Sequence, residues 1–291
     1  MGETVRKFRK VFNFQDPDAK GRCCVLIFKV VEGFLTYITT GIFYTEFLRC
    51  YGMDSVAAGV LSFIPYIASM LVLFTPALLN RFPRRKWILA VCKFMYYFVV
   101  LVGLNLLPYM VTDDRGRLWG MIVITFLASL FNVVATAGYA AWHIRFQPEE
   151  IRAYFLSVCL FLTALVSGVF TLASGLITDL LQKQMSQEAE LTFLVFLRYF
   201  AFALGVVNVI FLLLPREVDY PVIHAPRFSD IFSVPAHNRK FMLTMGVVFL
   251  WQFSTYCYSA QLSYYLRDVI EMSMTFYNII IFLYSVFFIF F

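Results

Sequence analysis

Long apolar stretches, each closed by a few charged, Pro or Gly residues, follow one another from Cys23 to the end of the chain. A helix needs about 20 predominantly apolar residues to cross the hydrocarbon core of a bilayer. Eight stretches have that length and predict helices over residues 23–48, 55–79, 87–111, 118–146, 153–178, 191–214, 241–266 and 273–291. The connections at 49–54, 80–86 and 112–117 are so short that consecutive helices must be antiparallel neighbours.

Composition agrees with this pattern. The chain is 61% hydrophobic and 14% charged, against about 45–50% and 25% in soluble domains, so a water-soluble fold would leave too much apolar surface uncovered. Its 34 Phe and 17 Tyr suit lipid-facing surfaces and interfacial belts. The net charge of +6 comes from short clusters between apolar runs, not from one basic face, which argues against nucleic acid as a partner. Cys23, Cys24, Cys92, Cys159 and Cys257 lie within apolar runs and Cys50 in a short loop, with no metal-ligand spacing, so free thiols and no metal are expected. The polar first 22 residues precede an apolar run too long for a signal-peptide core, which should remain as the first membrane helix.

Basic residues are retained on the cytoplasmic side of a membrane. The tail (Arg6, Lys7, Arg9, Lys10, Lys20, Arg22), the loop with Arg81, Arg84, Arg85 and Lys86, the turn with Arg145 and Arg152, and the connector with Arg216, Arg227, Arg239 and Lys240 carry most of them. These segments alternate with acidic or sparsely basic loops, which predicts a multi-pass protein of the plasma membrane with a cytoplasmic amino terminus. Residues 215–240 form the longest polar connector, broken by Pro215, Pro221, Pro226 and Pro235. The chain therefore divides into a cytoplasmic tail (1–22), a six-helix transmembrane half (23–214), a cytoplasmic connector (215–240) and the start of a second half (241–291). Across the connector, Phe47-Leu48-Arg49, Ser55 and Tyr66 return as Tyr265-Leu266-Arg267, Ser273 and Tyr284 at a constant offset of 218 residues. Parallel repeats of this kind are a transporter plan. The chain stops within an apolar run, as expected of a truncated second half.

Two local motifs give a family resemblance. Between the second and third helices lies Pro76-Ala77-Leu78-Leu79-Asn80-Arg81-Phe82-Pro83-Arg84-Arg85-Lys86. After the fourth lies Pro148-Glu149-Glu150-Ile151-Arg152-Ala153-Tyr154. The first resembles the Gly-x-x-x-Asp-Arg-x-Gly-Arg-Arg/Lys loop of the major facilitator superfamily, matching its basic positions at Arg81, Arg84, Arg85 and Lys86. It departs at Pro76, Asn80 and Pro83, which removes the acidic partner of the family's cytoplasmic charge latch. The second is similar to a Pro-Glu-Glu-x-Arg segment of bacterial members, with Glu149 and Glu150 in a first helical turn where the dipole favours them. The resemblance implies an all-α, polytopic helical membrane protein with a six-helix amino-terminal half plus the first two helices of a second half. It also implies alternating access around a central site.

Charges inside spans are functional candidates by default. Lys29 and Glu32 share a face of the first helix and are expected to pair, with Glu32 the candidate for proton coupling. Lys93 and Arg198 are expected to snorkel, Glu46 to lie at the interface beside Arg49, and His143 to form an interfacial pair with Trp142. Tyr37, Thr40, Asn132, Thr136, Gln252, Tyr256 and Gln261 form a polar set on helices one, four and seven, which line the cavity in the resembled family. Such groups among aromatic walls suit a small-molecule pocket. The small residues Ala135, Gly138, Gly168, Ser174 and Gly205 are expected at close helix contacts.

With no nucleotide-binding loop and no GxGD, HExxH or GxSxG motif, the sequence predicts a cofactor-free secondary transporter and not an enzyme. Its expected partners are the lipid bilayer, a small-molecule solute and H+ or Na+. A polytopic membrane enzyme and a nonfunctional transporter fragment are the alternatives.

Overall fold

The computed structural model describes residues 18–82, 84–184, 187–217, 233, 236–256, 262 and 264–290. Among them every regular element is a helix. We number these α1 (Ala19–Cys50), α2 (Ser55–Leu79), α3 (Lys86–Met110), α4 (Asp114–Phe146), α5 (Glu149–Gln184), α6 (Gln187–Leu213), α7 (Arg239–Tyr256) and α8 (Met274–Phe290). The protein is an all-α polytopic membrane protein.

Of the eight expected spans, α1–α6 are long and apolar enough to cross a bilayer. α7 begins on Arg239-Lys240 and carries Gln252, and α8 is 17 residues long, so neither reaches that standard over its described residues. Five of the six long helices also start before their apolar runs, and α2 starts with its run at Ser55. Asp113 caps α4 through its carboxylate to the Gly116 N–H at 2.8 Å, and Asp54 caps α2 through the Ala57 N–H at 2.8 Å. Hydropathy marks the part of a helix that matches hydrocarbon, whereas the cap marks where its backbone begins.

Helix contacts run in the order α2, α4, α3, α6, α1, α5, α8, each packing on the next. The inward faces share one core that includes Phe28, Leu35, Phe47, Leu61, Leu89 and Phe155. Outward faces expose large apolar side chains on every span, among them Phe63, Val91, Val123, Leu160 and Phe196. Contiguous apolar surface on that scale fits lipid contact. Cys23, Cys24, Cys50, Cys92 and Cys159 are free thiols, and Cys257 lies outside the described residues.

Three spans are irregular. α1 breaks where Thr40 is extended and Gly41 takes φ 65°, a left-handed conformation that disfavours any side chain. α2 tightens into a 3-10 turn at Met70–Phe74 ahead of Pro76, whose ring would clash with the carbonyl four residues back. α3 widens into a π turn at Phe98–Gly103, five residues before Pro108.

Small residues set the closest approaches. Gly168 lies against Phe282 and Gly205 against Tyr97. A Cβ added at Gly138 would lie 2.2 Å from Leu89 Cδ2 and 2.9 Å from Leu79 Cδ1. Gly138→Val should therefore push α4 away from α2 and α3 and destabilise the bundle by about 1–3 kcal/mol. Thermal unfolding of the purified protein in detergent measures this, and an unchanged midpoint would contradict the packing.

Candidate functional site

Polar rows on three helices meet in the middle of the bundle. On α4, Asn132, Thr136 and Tyr139 are spaced by four and three residues, which puts them on one face. On α3, Tyr96 and Tyr97 follow Lys93 by three and four residues. On α1, Thr36 and Thr39 continue the face of Glu32.

Lys93 is 2% exposed and Glu32 21%, and the Lys93 ammonium donates to Glu32 Oε1 at 2.7 Å. It also donates to Asn132 Oδ1 at 2.9 Å. The Tyr139 hydroxyl donates to the same Glu32 oxygen and lies 3.2 Å from Thr136 Oγ1. Thr136 in turn donates to Asn132 Oδ1 at 3.3 Å. The rings of Tyr96, Tyr97 and Tyr139 surround the ammonium at 5.0, 5.1 and 5.5 Å. Asn208 of α6 fixes the Tyr97 hydroxyl from behind at 2.9 Å. A buried ion pair offsets its desolvation only when further hydrogen bonds satisfy both ions, and this arrangement supplies them.

The pair opens on a cavity of about 40 Å³ lined by Glu32, Thr36 and Thr39 of α1, Lys93 and Tyr96 of α3, and Asn132 of α4. That is room for about three waters. Drug-sized ligands occupy pockets of roughly 300–1,000 Å³, so the space beside the pair is small by that measure.

Several expectations change here. Lys93 does not snorkel: its neighbours on α1 and α4 hold it inside. Glu32 pairs with Lys93 across the bundle, and Lys29, three residues away on the same helix, makes no hydrogen bond or ion pair with it among the described residues. Arg198 is also buried, at 2% exposure, with Nε donating to Asn105 Oδ1 at 2.6 Å and Nη2 to the Val100 carbonyl at 2.6 Å. His143 is buried against Phe28, Tyr139 and Trp142 instead of facing the interface. Glu46 is buried between Arg49 at 3.5 Å and Arg267 at 3.2 Å, so the two arginines of the 218-residue echo converge on one carboxylate.

At the opposite end of the bundle, Arg85 donates to Asn80 Oδ1 at 2.9 Å, so Asn80 accepts from a motif arginine without carrying charge. A carboxylate reaches the motif from Glu217, which accepts the Lys86 N–H at 3.1 Å while the Lys86 ammonium donates to the Pro215 carbonyl at 2.9 Å. Arg152 donates to the Gln147 carbonyl at 3.3 Å. Glu149 and Glu150 open α5 directly after Pro148. Arg81 and Arg84 lie in the same loop.

Of the site candidates, the structure brings together Glu32, Asn132 and Thr136. Tyr37 is half-buried on α1 and outside this network, and the Thr40 hydroxyl donates to the Thr36 carbonyl at 2.7 Å. Gln252 is exposed on α7, the Tyr256 side chain and all of Gln261 lie outside the described residues. Lys93, Tyr96, Tyr97 and Tyr139 complete the site; the three-and-four spacing of Tyr96 and Tyr97 after an intramembrane charge was the signal on α3, and Tyr139 continues the polar row of Asn132 and Thr136 on α4. No family model, curated protein or solved structure matches this chain.

Proposed function

We propose that this protein is a secondary transporter of major facilitator type that moves a small solute by alternating access, coupled to H+ or Na+, and that it is not an enzyme. The buried Lys93–Glu32 pair facing a polar cavity carries this reading, because intramembrane ionisable groups mark substrate or ion pathways. Two irregular helices support it. α1 breaks next to Thr39, and α3 turns π-helical after Tyr97, as do discontinuous helices at transporter binding sites.

In this mechanism both donors to Glu32 use Oε1, which leaves Oε2 for the cavity. A proton arriving at Oε2 cancels the charge that Lys93 pairs with, so the ammonium loses its partner and the helices lose a tie. Rocking of the two sides then opens the cavity to one face of the membrane. The amino terminus lies in the cytoplasm of a plasma-membrane protein, with the basic loops on the same side.

Cysteine accessibility tests this without knowledge of the solute. In a cysteine-free background, Asn80→Cys should react with a membrane-impermeant thiol reagent from the cytoplasmic side only, and Asp113→Cys from the outside only. Thr36→Cys, in the cavity wall, should react from both. Labelling of Thr36→Cys from a single side would sink alternating access.

A further inference from the structure

We propose that Arg198 is an anion-recognition subsite and that the solute carries a carboxylate on an apolar body. This rests on the transport reading of the same bundle. Lys93 has a carboxylate counter-charge, whereas Arg198, equally buried, has only the neutral oxygens of Asn105 and Val100. Among the described residues no carboxylate pairs with it. Its Nη1 is buried without a hydrogen-bond partner.

The geometry explains what is free. A guanidinium carries five N–H donors in one plane. Nε and one proton of Nη2 are used on one edge, which leaves Nη1 and the second proton of Nη2 side by side on the next. That edge matches the two oxygens of a carboxylate. The Phe47 ring centroid lies 4.2 Å from the guanidinium carbon and the Tyr44 ring 5.9 Å away, so an apolar group beside the anion meets aromatic walls.

The local backbone is built for this. Val100 belongs to the π turn of α3, where the regular helical bonding pattern is changed and a carbonyl turns toward Arg198. Tyr44 and Phe47 belong to the part of α1 beyond its break. Seven residues of α3 separate Val100 from Lys93, about 10 Å at 1.5 Å per residue.

Binding is read by thermal unfolding of the purified full chain in detergent at constant ionic strength, with benzoate and 3-phenylpropionate as probes and their amides as neutral controls. The carboxylates should raise the unfolding midpoint and the amides should not. Arg198→Lys keeps the charge but loses the planar fork, so the half-saturating carboxylate concentration should rise at least tenfold. Asn105→Asp places a carboxylate on the guanidinium from within, so it should raise the midpoint without probe and abolish the response to it. Equal responses to acid and amide in the unmodified protein would overturn the proposal, as would Asn105→Asp retaining the full carboxylate response. If Thr36→Cys labels from one side only while the carboxylate response is intact, the transport reading fails and the subsite stands. If it labels from both sides with no carboxylate preference, the subsite fails and the transport reading stands.

Discussion

Lys93→Met should destabilise the protein by about 3–5 kcal/mol, the cost of leaving a buried charge without its partner. Glu32 would keep its carboxylate in the bundle with the Tyr139 hydroxyl as its remaining side-chain donor among the described residues. Replacing Glu32 with Gln in the same molecule removes the stranded charge, and the double variant should return most of the lost stability, because a buried pair as a whole contributes little net free energy. Thermal or denaturant unfolding of the two single variants and the double variant gives the coupling directly. A double variant destabilised by the sum of the two single variants' losses would show that the Lys93–Glu32 contact at 2.7 Å carries no energetic coupling.

Glu46→Gln should produce the second large effect, in the segment between α7 and α8. Arg267, 8% exposed, depends on the Glu46 carboxylate at 3.2 Å and on the Met272 carbonyl at 2.8 Å. The same segment is tied to the bundle by Tyr264, whose hydroxyl donates to the Met53 carbonyl at 3.1 Å. It also holds Glu271 at φ 55°, a left-handed conformation costing about 1–3 kcal/mol that survives only where surrounding contacts impose it. Without the Glu46 charge, local opening should become more frequent, and trypsin cleavage after Arg267 should accelerate by about tenfold or more under native conditions. An unchanged cleavage rate would mean that the segment is held by its other contacts alone.

The helices were legible because a membrane span is a long one-dimensional signal: runs such as 118–146 need only be apolar and of sufficient length. The polar centre was legible in part. Glu32, Asn132 and Thr136 declared themselves as polar residues in apolar runs, but their partners depended on which helix faces which. Lys93 illustrates the limit. Its distance from the helix end allowed snorkelling, and only the packing of α1 and α4 around it decided against that outcome. Lys29 shows the converse, since a three-residue spacing to Glu32 permits a pair and the tertiary partner wins. Arg198 was hidden for another reason: its acceptors are a backbone carbonyl in a π turn and an Asn 93 residues away in sequence, and neither leaves a charge pattern.

The break in α1 gives the helix a lever arm. Regular helix resists bending because successive hydrogen bonds share the load, and that sharing stops where Thr40 is extended. The Gly41–Cys50 piece beyond it is 10 residues long, about 15 Å at 1.5 Å per residue, so a tilt of 10° about the break swings its far end by about 2.6 Å. Glu46 lies near the middle of that arm and Glu32 lies on the other side of the pivot. A rotation at one residue thus moves the Glu46–Arg267 contact by a sizeable part of its own length while the Glu32–Lys93 pair stays in place.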